Sequence, residues 1–411
     1  MIKRLYILLL SALLFSACHH SEPFDVELFD EVLYSPRYAM GFEIRRHTES
    51  GATLIISTDP WQGAEEVSYK LLLDPNNHFA DNADIQRINT PAERILCMSS
   101  SHIAMLDAID EEERVVGVSG IDFISNDYIT ANRQKIGDVG YDNNINYELL
   151  IAINPDLVLL YGINAANSVE NKLRELGIPF AYIGEYVESS PLGKAEWMVA
   201  VGEIVGKREQ SIDYFGSIET RYNAVAESIR EHIANTPRPK VMLNTPYRDS
   251  WFLPSKNSYM VQLIEQAGGD TFTAEGDGNS SAPIDIEQAI LYATQSDIWL
   301  NPSGCNSIAE LVRLNPKFAD TPPITNVKVW NNNARQTPMG GSDFWESGVV
   351  RPDLILRDLI AIFHPELLGD EAALMAQQVV SKAGYEVLVD QKGSHRITSS
   401  TIKIIGTIIN K

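Results

Sequence analysis

Cysteine is rare in this chain, with three in 411 residues, at positions 18, 97 and 305. None stands in a Cys-x-x-Cys pair or a Cys/His cluster of zinc spacing, which excludes a structural zinc site built on thiolates. Cys97 and Cys305 fall in segments expected to fold as separate lobes, so two buried free thiols are favoured over a disulfide. Positive charge is also short: 33 Lys and Arg face 55 Asp and Glu, for a net charge of −22. A chain this acidic repels phosphate, and nucleic acid is excluded as a partner. Long apolar runs are missing as well, and the stretch 404–409 is far too short to cross a bilayer. The eight histidines are scattered, which argues against a transition-metal cage built from three of them. Enzyme motifs are absent too. Gly117-Val118-Ser119-Gly120 is not the Gly-x-Ser-x-Gly of a nucleophile elbow. Segment 202–207 has three residues between its glycines where a phosphate loop has four, and it sits in a helical pattern. No catalytic residue, metal ligand or resident cofactor is assigned, and the chain is not expected to be an enzyme.

What is present begins with residues 1–18. Lys3 and Arg4 precede an apolar core at 5–15 that is too short to span a membrane. Phe15-Ser16-Ala17-Cys18 then resembles a lipoprotein cleavage site, with Phe15 where leucine is usual. Lipidation at Cys18 would anchor a soluble body to a membrane surface.

Residues 207–235 carry apolar side chains at Ile212, Phe215, Ile218, Tyr222, Val225, Ile229 and Ile233. That spacing predicts one long amphipathic helix, stopped by Pro237. At about 1.5 Å per residue it reaches roughly 43 Å, enough to bridge two lobes and leave a cleft between them. On one side, 91–190 alternates apolar runs (94–98, 115–118, 157–160, 180–183) with helical stretches (102–109, 147–152, 168–176). On the other, 238–368 does the same, with strands at 240–244, 297–300 and 328–330 and helices at 259–267, 284–293 and 352–363. Strand–helix alternation of this kind predicts an α/β protein with a buried parallel sheet in each lobe. Segment 191–237 links the lobes. Before them, 19–90 shows β-branched, alternating runs at 38–44, 53–58 and 67–73 and is read as a β-rich extension. The tail, 369–411, offers a helix at 371–383 and a β-branched run at 397–409, without a functional reading. The lobes echo each other: Glu148 and Glu287 each sit in a helix that runs into a strand.

In α/β lobes, ligands meet the loops at the C-terminal ends of strands. Those loops are 99–102, 140–146, 161–164, 245–251 and 340–345, and they are rich in Tyr, Trp, Asn, Ser and Gly. Aromatic walls with a few polar groups suit a large planar or amphipathic small molecule. Trp251 and Trp345 stand out because Gly, Ser, Asp and Asn flank them. His102, at a strand-to-helix turn, could line the cleft, with a capping or packing role favoured.

Four segments carry a family resemblance. "RILCMSSSHIAMLDAIDEEERVVGV" and "IGDVGYDNNINYELLIAINPDLVLLYG" resemble the first-lobe signatures of the periplasmic-binding domain for iron complexes and vitamin B12. "KVMLNTPYRDSWFLPSKNSYMVQLIEQAGGD" and "GGSDFWESGVVRPDLILRDLIAIFHPEL" are similar to its second-lobe segments. Together they cover about 91–368 in the family order. The resemblance implies two Rossmann-like lobes joined by one long helix, the class III periplasmic-binding fold, with no catalytic turnover. It implies delivery of the ligand to an inner-membrane ABC permease, in agreement with the anchor read at Cys18, and the protein is expected to be a periplasmic, membrane-anchored monomer. By motif position, Tyr141, Tyr161, Trp251, Phe344 and Trp345 would line the cleft.

The resemblance also implies docking to the permease through one surface carboxylate per lobe. Glu148, in "NYELL", matches the first. The second falls near "SKNSY", where this chain has Asn257, with Glu346 and Glu275 as substitutes. The ligand class is open among a corrinoid such as cobalamin, a ferric siderophore and haem, in that order of preference. Anionic complexes favour cleft arginines, for which Arg248, Arg335 and Arg351 are candidates. A corrinoid would rely on aromatics and amides. Two other readings compete: a chelatase-like or metal-cluster enzyme on the same architecture, and a surface-exposed receptor lipoprotein. The first would need more Cys or His ligands, and the second an acidic run in place of His19-His20-Ser21-Glu22.

Overall fold

The computed structural model describes residues 21–141, 144–247, 249–276, 281–368 and 377–378. The extension forms a five-stranded sheet: β1 (Glu31–Tyr34), β2 (Phe42–Arg46), β3 (Thr53–Thr58), β4 (Ser68–Leu73) and β5 (Gln86–Ile88). The first four pair antiparallel in chain order, and β5 runs parallel to β4. Successive strand residues point to opposite faces, and both faces of this sheet are covered. Ile44, Ile55, Leu71 and Leu73 join the core shared with the lobes. Leu54 and Leu72 join a separate small core with Phe29 and Phe79. The strand read at 38–44 starts only at Phe42, because the chain just before it is held in a loop by two buried carboxylates described below.

The first lobe is a parallel sheet of β6 (Ile95–Cys97), β7 (Val115–Val118), β8 (Gly137–Asp138), β9 (Leu157–Leu160) and β10 (Phe180–Tyr182), in the order β10-β9-β6-β7-β8. Every residue of β6, β9 and β10 is buried, as expected of parallel strands covered on both faces. Two short helices, Pro191–Glu196 and Met198–Ile204, then lead into the long helix Arg208–Asn235. Gly202 lies against Ser211 so closely that a Cβ there would sit 1.8 Å from its Oγ. Only glycine lets the two helices cross at that point.

The second lobe repeats the plan. β11 (Lys240–Leu243), β13 (Asp270–Thr271), β15 (Ile298–Leu300) and β16 (Val329–Asn331) are parallel, in the order β13-β11-β15-β16. The run β13-β11-β15-β16 matches β7-β6-β9-β10 strand for strand. A hairpin, β12 (Ser250–Leu253) with β14 (Ala282–Asp285), is added; β14 takes the first residues of the stretch 284–293 that was read as helix. In the tail, β17 (Gln377–Gln378) pairs antiparallel with β16. It falls inside the segment 371–383 read as a helix and so corrects that reading there. The rest of that segment and the run at 397–409 lie outside the described residues.

The long helix buries Phe215, Ile218, Tyr222 and Ile229, with Ile212, Val225 and Ile233 packed at the edge of the same core. Its start is tied to the first lobe by Gln210 Nε2, which donates to the Ile109 carbonyl at 2.8 Å. Farther along, Tyr222 Oη donates to Gln266 at 2.8 Å and Arg221 pairs with the buried Asp353 at 3.1 Å. One apolar cluster runs from the extension through both lobes. Cys97 and Cys305 are buried free thiols in different clusters.

Candidate ligand-binding cleft

The strand plan puts the loop after β6 where neighbouring strands β6 and β9 lead their crossovers to opposite sides, a place where α/β sheets bind ligands. Ser99 caps the helix Ser100–Asp107 there, its side chain accepting from the Ser101 N–H. From the second lobe, Ser258 caps the helix Tyr259–Gln266 in the same way. Between these two helix starts lies a cavity of about 370 Å³. The first lobe supplies Ser99–Ser101 and the loop after β10, Glu185 to Ser189. The second supplies Asn257, Tyr259, Trp345 and Val349, and the extension adds Gln62.

The cavity's charge is concentrated on one wall. Lys194 is buried, and its Nζ donates to the Glu185 carbonyl at 2.7 Å. The same ammonium lies 4.7 Å from the Tyr259 ring centroid and 5.9 Å from that of Tyr186, a cation–π pairing. Burial lowers its pKa, opposed by the nearby Glu185 and Glu188 charges. Glu185 accepts from Ser101 Oγ through one oxygen. Its other oxygen is buried without a hydrogen-bond partner among the described residues. Burial raises the pKa of Glu188, opposed by its bonds from the Trp197 indole and the Met40 and Gly41 N–H groups. His102 sits behind Ser101, fully buried, and burial lowers its pKa; it packs and does not face the ligand space.

The sequence candidates separate. Trp345 lines the cavity and is 49% exposed. Phe344, next to it, is turned into the core and reaches only the smaller recesses beside the cavity. Trp251 does not line the cleft: it is 1% exposed, packs on Trp299 and Phe318, and donates its indole N–H to the Leu243 carbonyl at 2.9 Å. It belongs to the edge hairpin, whose alternation turns Trp251 inward and Phe252 outward. Tyr141 is exposed and stands edge-on to Phe123, away from the cavity wall. Tyr161 packs with the first-lobe core. Arg335 is paired with Asp343 at 2.9 Å, and Arg351 with Asp353 at 2.9 Å, so neither points a free cation into the cleft. Arg248 and Cys18 lie outside the described residues.

Lys194, Glu185, Tyr186 and Tyr259 were missed. The rule that found Ser99 would have found Tyr186, since it follows β10. Tyr259 was read as the start of a helix, and nothing in the sequence places Gln62 at a cleft.

Glu148 is exposed and is the second residue of the helix Tyr147–Ile153, capped by Asn146 and followed by β9. Glu287 is exposed and is the second residue of the helix Ile286–Thr294, capped by Asp285 and followed by β15. They hold equivalent places in the repeated strand plan. Asn257 lines the cleft, Glu346 is 2% exposed and cannot reach a partner, and Glu275 is exposed on a loop before 277.

Two α/β lobes of one strand plan, a single connecting helix and a cavity between them define a solute-binding protein. The chain belongs to the periplasmic binding protein family, whose sequence model matches residues 95–331. It is 28% identical over 290 residues to an uncharacterized lipoprotein of Methanocaldococcus jannaschii, covering 68% of this chain and 67% of that one. An uncharacterized protein of the same organism is 21% identical over 315 residues, covering 74% and 92%. Among solved structures, a periplasmic heme binding protein from Pseudomonas aeruginosa aligns with a TM-score of 0.52 at 17% identity, over 67% of this chain and 93% of that one. A Helicobacter pylori protein with Ni(II) bound aligns at 0.51 and 19% identity, over 67% and 85%. These structures share the fold.

Proposed function

We propose that this protein is the membrane-tethered solute-binding component of an importer, which takes a corrinoid between its lobes and hands it to an ABC permease. The observation that carries the reading is the interlobe cavity walled by Tyr186, Tyr259 and Trp345, with serine hydroxyls and one asparagine amide. Aromatic faces and neutral polar groups suit a large, nearly neutral metal complex. Arg335 and Arg351 are ion-paired within the protein, which weighs against an anionic siderophore or haem, for which free arginines would be wanted. Lys194, the one cation lining the cavity among the described residues, is offset by two carboxylates on the same wall, Glu185 and Glu188, which adds to that weight. The tether rests on Cys18 and on the lipoprotein description of a relative.

The test is a titration of the soluble body with cyanocobalamin, followed by tryptophan fluorescence and by calorimetry. Trp345 at the cavity wall is expected to report binding with one-to-one stoichiometry and sub-micromolar affinity, about −8 kcal/mol or stronger. A folded protein that ignores cyanocobalamin and instead takes a ferric siderophore or haem would replace the corrinoid while keeping the importer role.

A further inference from the structure

We propose that the N-terminal extension carries a site for a divalent transition-metal cation of the zinc, nickel or copper kind, ligated by Glu22, His47 and His78. The three residues stand outside the segment matched to the family. They come from three separate pieces of chain. Their ligand atoms all lie within 4.8 Å of one another, while ligand atoms on a tetrahedral zinc sit about 3.3 Å apart. Closing the set needs shifts of about an ångström.

The backbone already holds the ligands together. The Glu22 N–H donates to the His78 carbonyl at 2.8 Å, and the Ala80 N–H donates to the Glu22 carbonyl at 2.7 Å. The Glu22 carboxylate lies 2.8 Å from His78 Nε2. His47 is 7% exposed and packs against Phe29 and Phe79. Its Nδ1 lies 2.8 Å from Ser50 Oγ and accepts from the Ser50 N–H at 3.3 Å, contacts that hold the ring in place beside His78 and Glu22. The His47 and His78 rings are 5.2 Å apart. His78 and Glu22 are partly exposed, which gives the cation an entry path and leaves a fourth position for water. Two imidazoles and a carboxylate select a borderline transition ion over calcium or magnesium.

The ligands stand 25 and 31 positions apart (22 to 47 to 78), a spacing that matches no metal motif, so this site was invisible in the sequence. Bound metal would clamp the lead segment to the extension sheet, four positions after Cys18. A second grouping, His232, His364 and Glu366, is less open. Gly268 packs so tightly there that a Cβ would sit 2.5 Å from His364 Nε2.

The test uses the full chain in detergent micelles, free of any affinity tag that binds metal. ZnCl₂ is titrated by calorimetry, and CoCl₂ by its visible absorption. One-to-one binding in the micromolar range or tighter is expected. It should weaken about tenfold or more in both H78A and E22Q, and stay unchanged in H232A and in the H19A/H20A pair. H78A and E22Q alter partly exposed side chains, and E22Q is nearly isosteric, so circular dichroism should show both folded. Failure of the unaltered chain to bind at about 1 mM zinc, or binding that H78A and E22Q leave intact, would overturn the proposal.

Discussion

Trp251 and Trp345 show how one residue type is put to two uses by its surroundings. Trp251 fills the second-lobe core against Trp299 and Phe318, with its N–H satisfied. Replacing it with Ala should cost about 3–5 kcal/mol of stability, the range for truncating a buried tryptophan. A urea melt would measure that cost, and ligand affinity of the folded fraction should not change. Trp345→Ala should do the reverse, weakening ligand binding about tenfold or more with a shift below about 1 kcal/mol in the melt. Glu346 makes a third case. It is buried where the second lobe meets the first, and its carboxylate accepts from the Ser125 N–H at 2.9 Å. Burial, with the Asp343 charge beside it, pushes its pKa up from 4.5 to about 7. A raised carboxyl pKa means the folded protein holds a proton that the unfolded chain gives up. The stabilisation is complete below about pH 4.5 and fades as pH rises through about 7. Melting temperatures taken from pH 5 to pH 8 should fall more steeply for the unaltered protein than for E346Q. Parallel curves would remove Glu346 as the source.

The extension shows what an element needs in order to become part of another. The loop 35–41 is wrapped around two buried carboxylates, Glu188 in the first-lobe loop after β10 and Glu196 in the linking segment. Glu196, 0% exposed, accepts from Tyr34 Oη and from the N–H groups of Arg37, Tyr38 and Ala39. Glu188 accepts from the Met40 and Gly41 N–H groups and from the Trp197 indole. Gly41 and Gly184 both press on that indole, and a Cβ on either would approach it to 2.8 Å. Each buried N–H left without an acceptor costs about 1–3 kcal/mol. Glu196→Ala should therefore destabilise the whole protein by about 3 kcal/mol or more, measured by denaturant unfolding, and Glu196→Gln by less. A loss confined to the extension, with the lobes melting as before, would show that the sheet is an appendage.

The same loop marks the limit of what was legible. Strands β3, β6, β7 and β9 and the long helix were visible as periodic apolar runs, because burial on a regular element leaves a regular pattern. The carboxylates that hold 35–41 sit far away in sequence, and two acidic residues among 55 carry no signal of burial. The cleft was half legible for a related reason. The loops after strands could be listed, and Ser99 and Trp345 came from that list. Which aromatic faces inward depends on hairpin β12–β14 and on the helix starts, and that sent Trp251 to the core and Tyr259 to the cavity.

At the scale of the whole molecule, the repeated strand plan has a consequence for the proposed transfer to a permease. The first-lobe and second-lobe helices that carry Glu148 and Glu287 occupy the same place in each lobe, and both carboxylates are exposed at helix starts. The core is continuous from lobe to lobe, and the lobes also meet where Thr337 Oγ1 donates to the Asp122 carbonyl at 2.8 Å. The long helix offers no break: Gly216, inside it, has open space around its missing Cβ, so Gly216→Ala should be tolerated. A continuous core and an unbroken helix predict that the two carboxylates keep a nearly fixed separation on ligand binding, and small-angle scattering should change little. Two fixed anions suit a permease that carries one basic pocket for each lobe. Reversing one charge, E148K or E287K, should cut uptake into cells strongly, and reversing both should abolish it. Affinity of the purified protein for its ligand should not move, since neither residue lines the cavity. Normal uptake in the double variant would mean that the permease recognises another face.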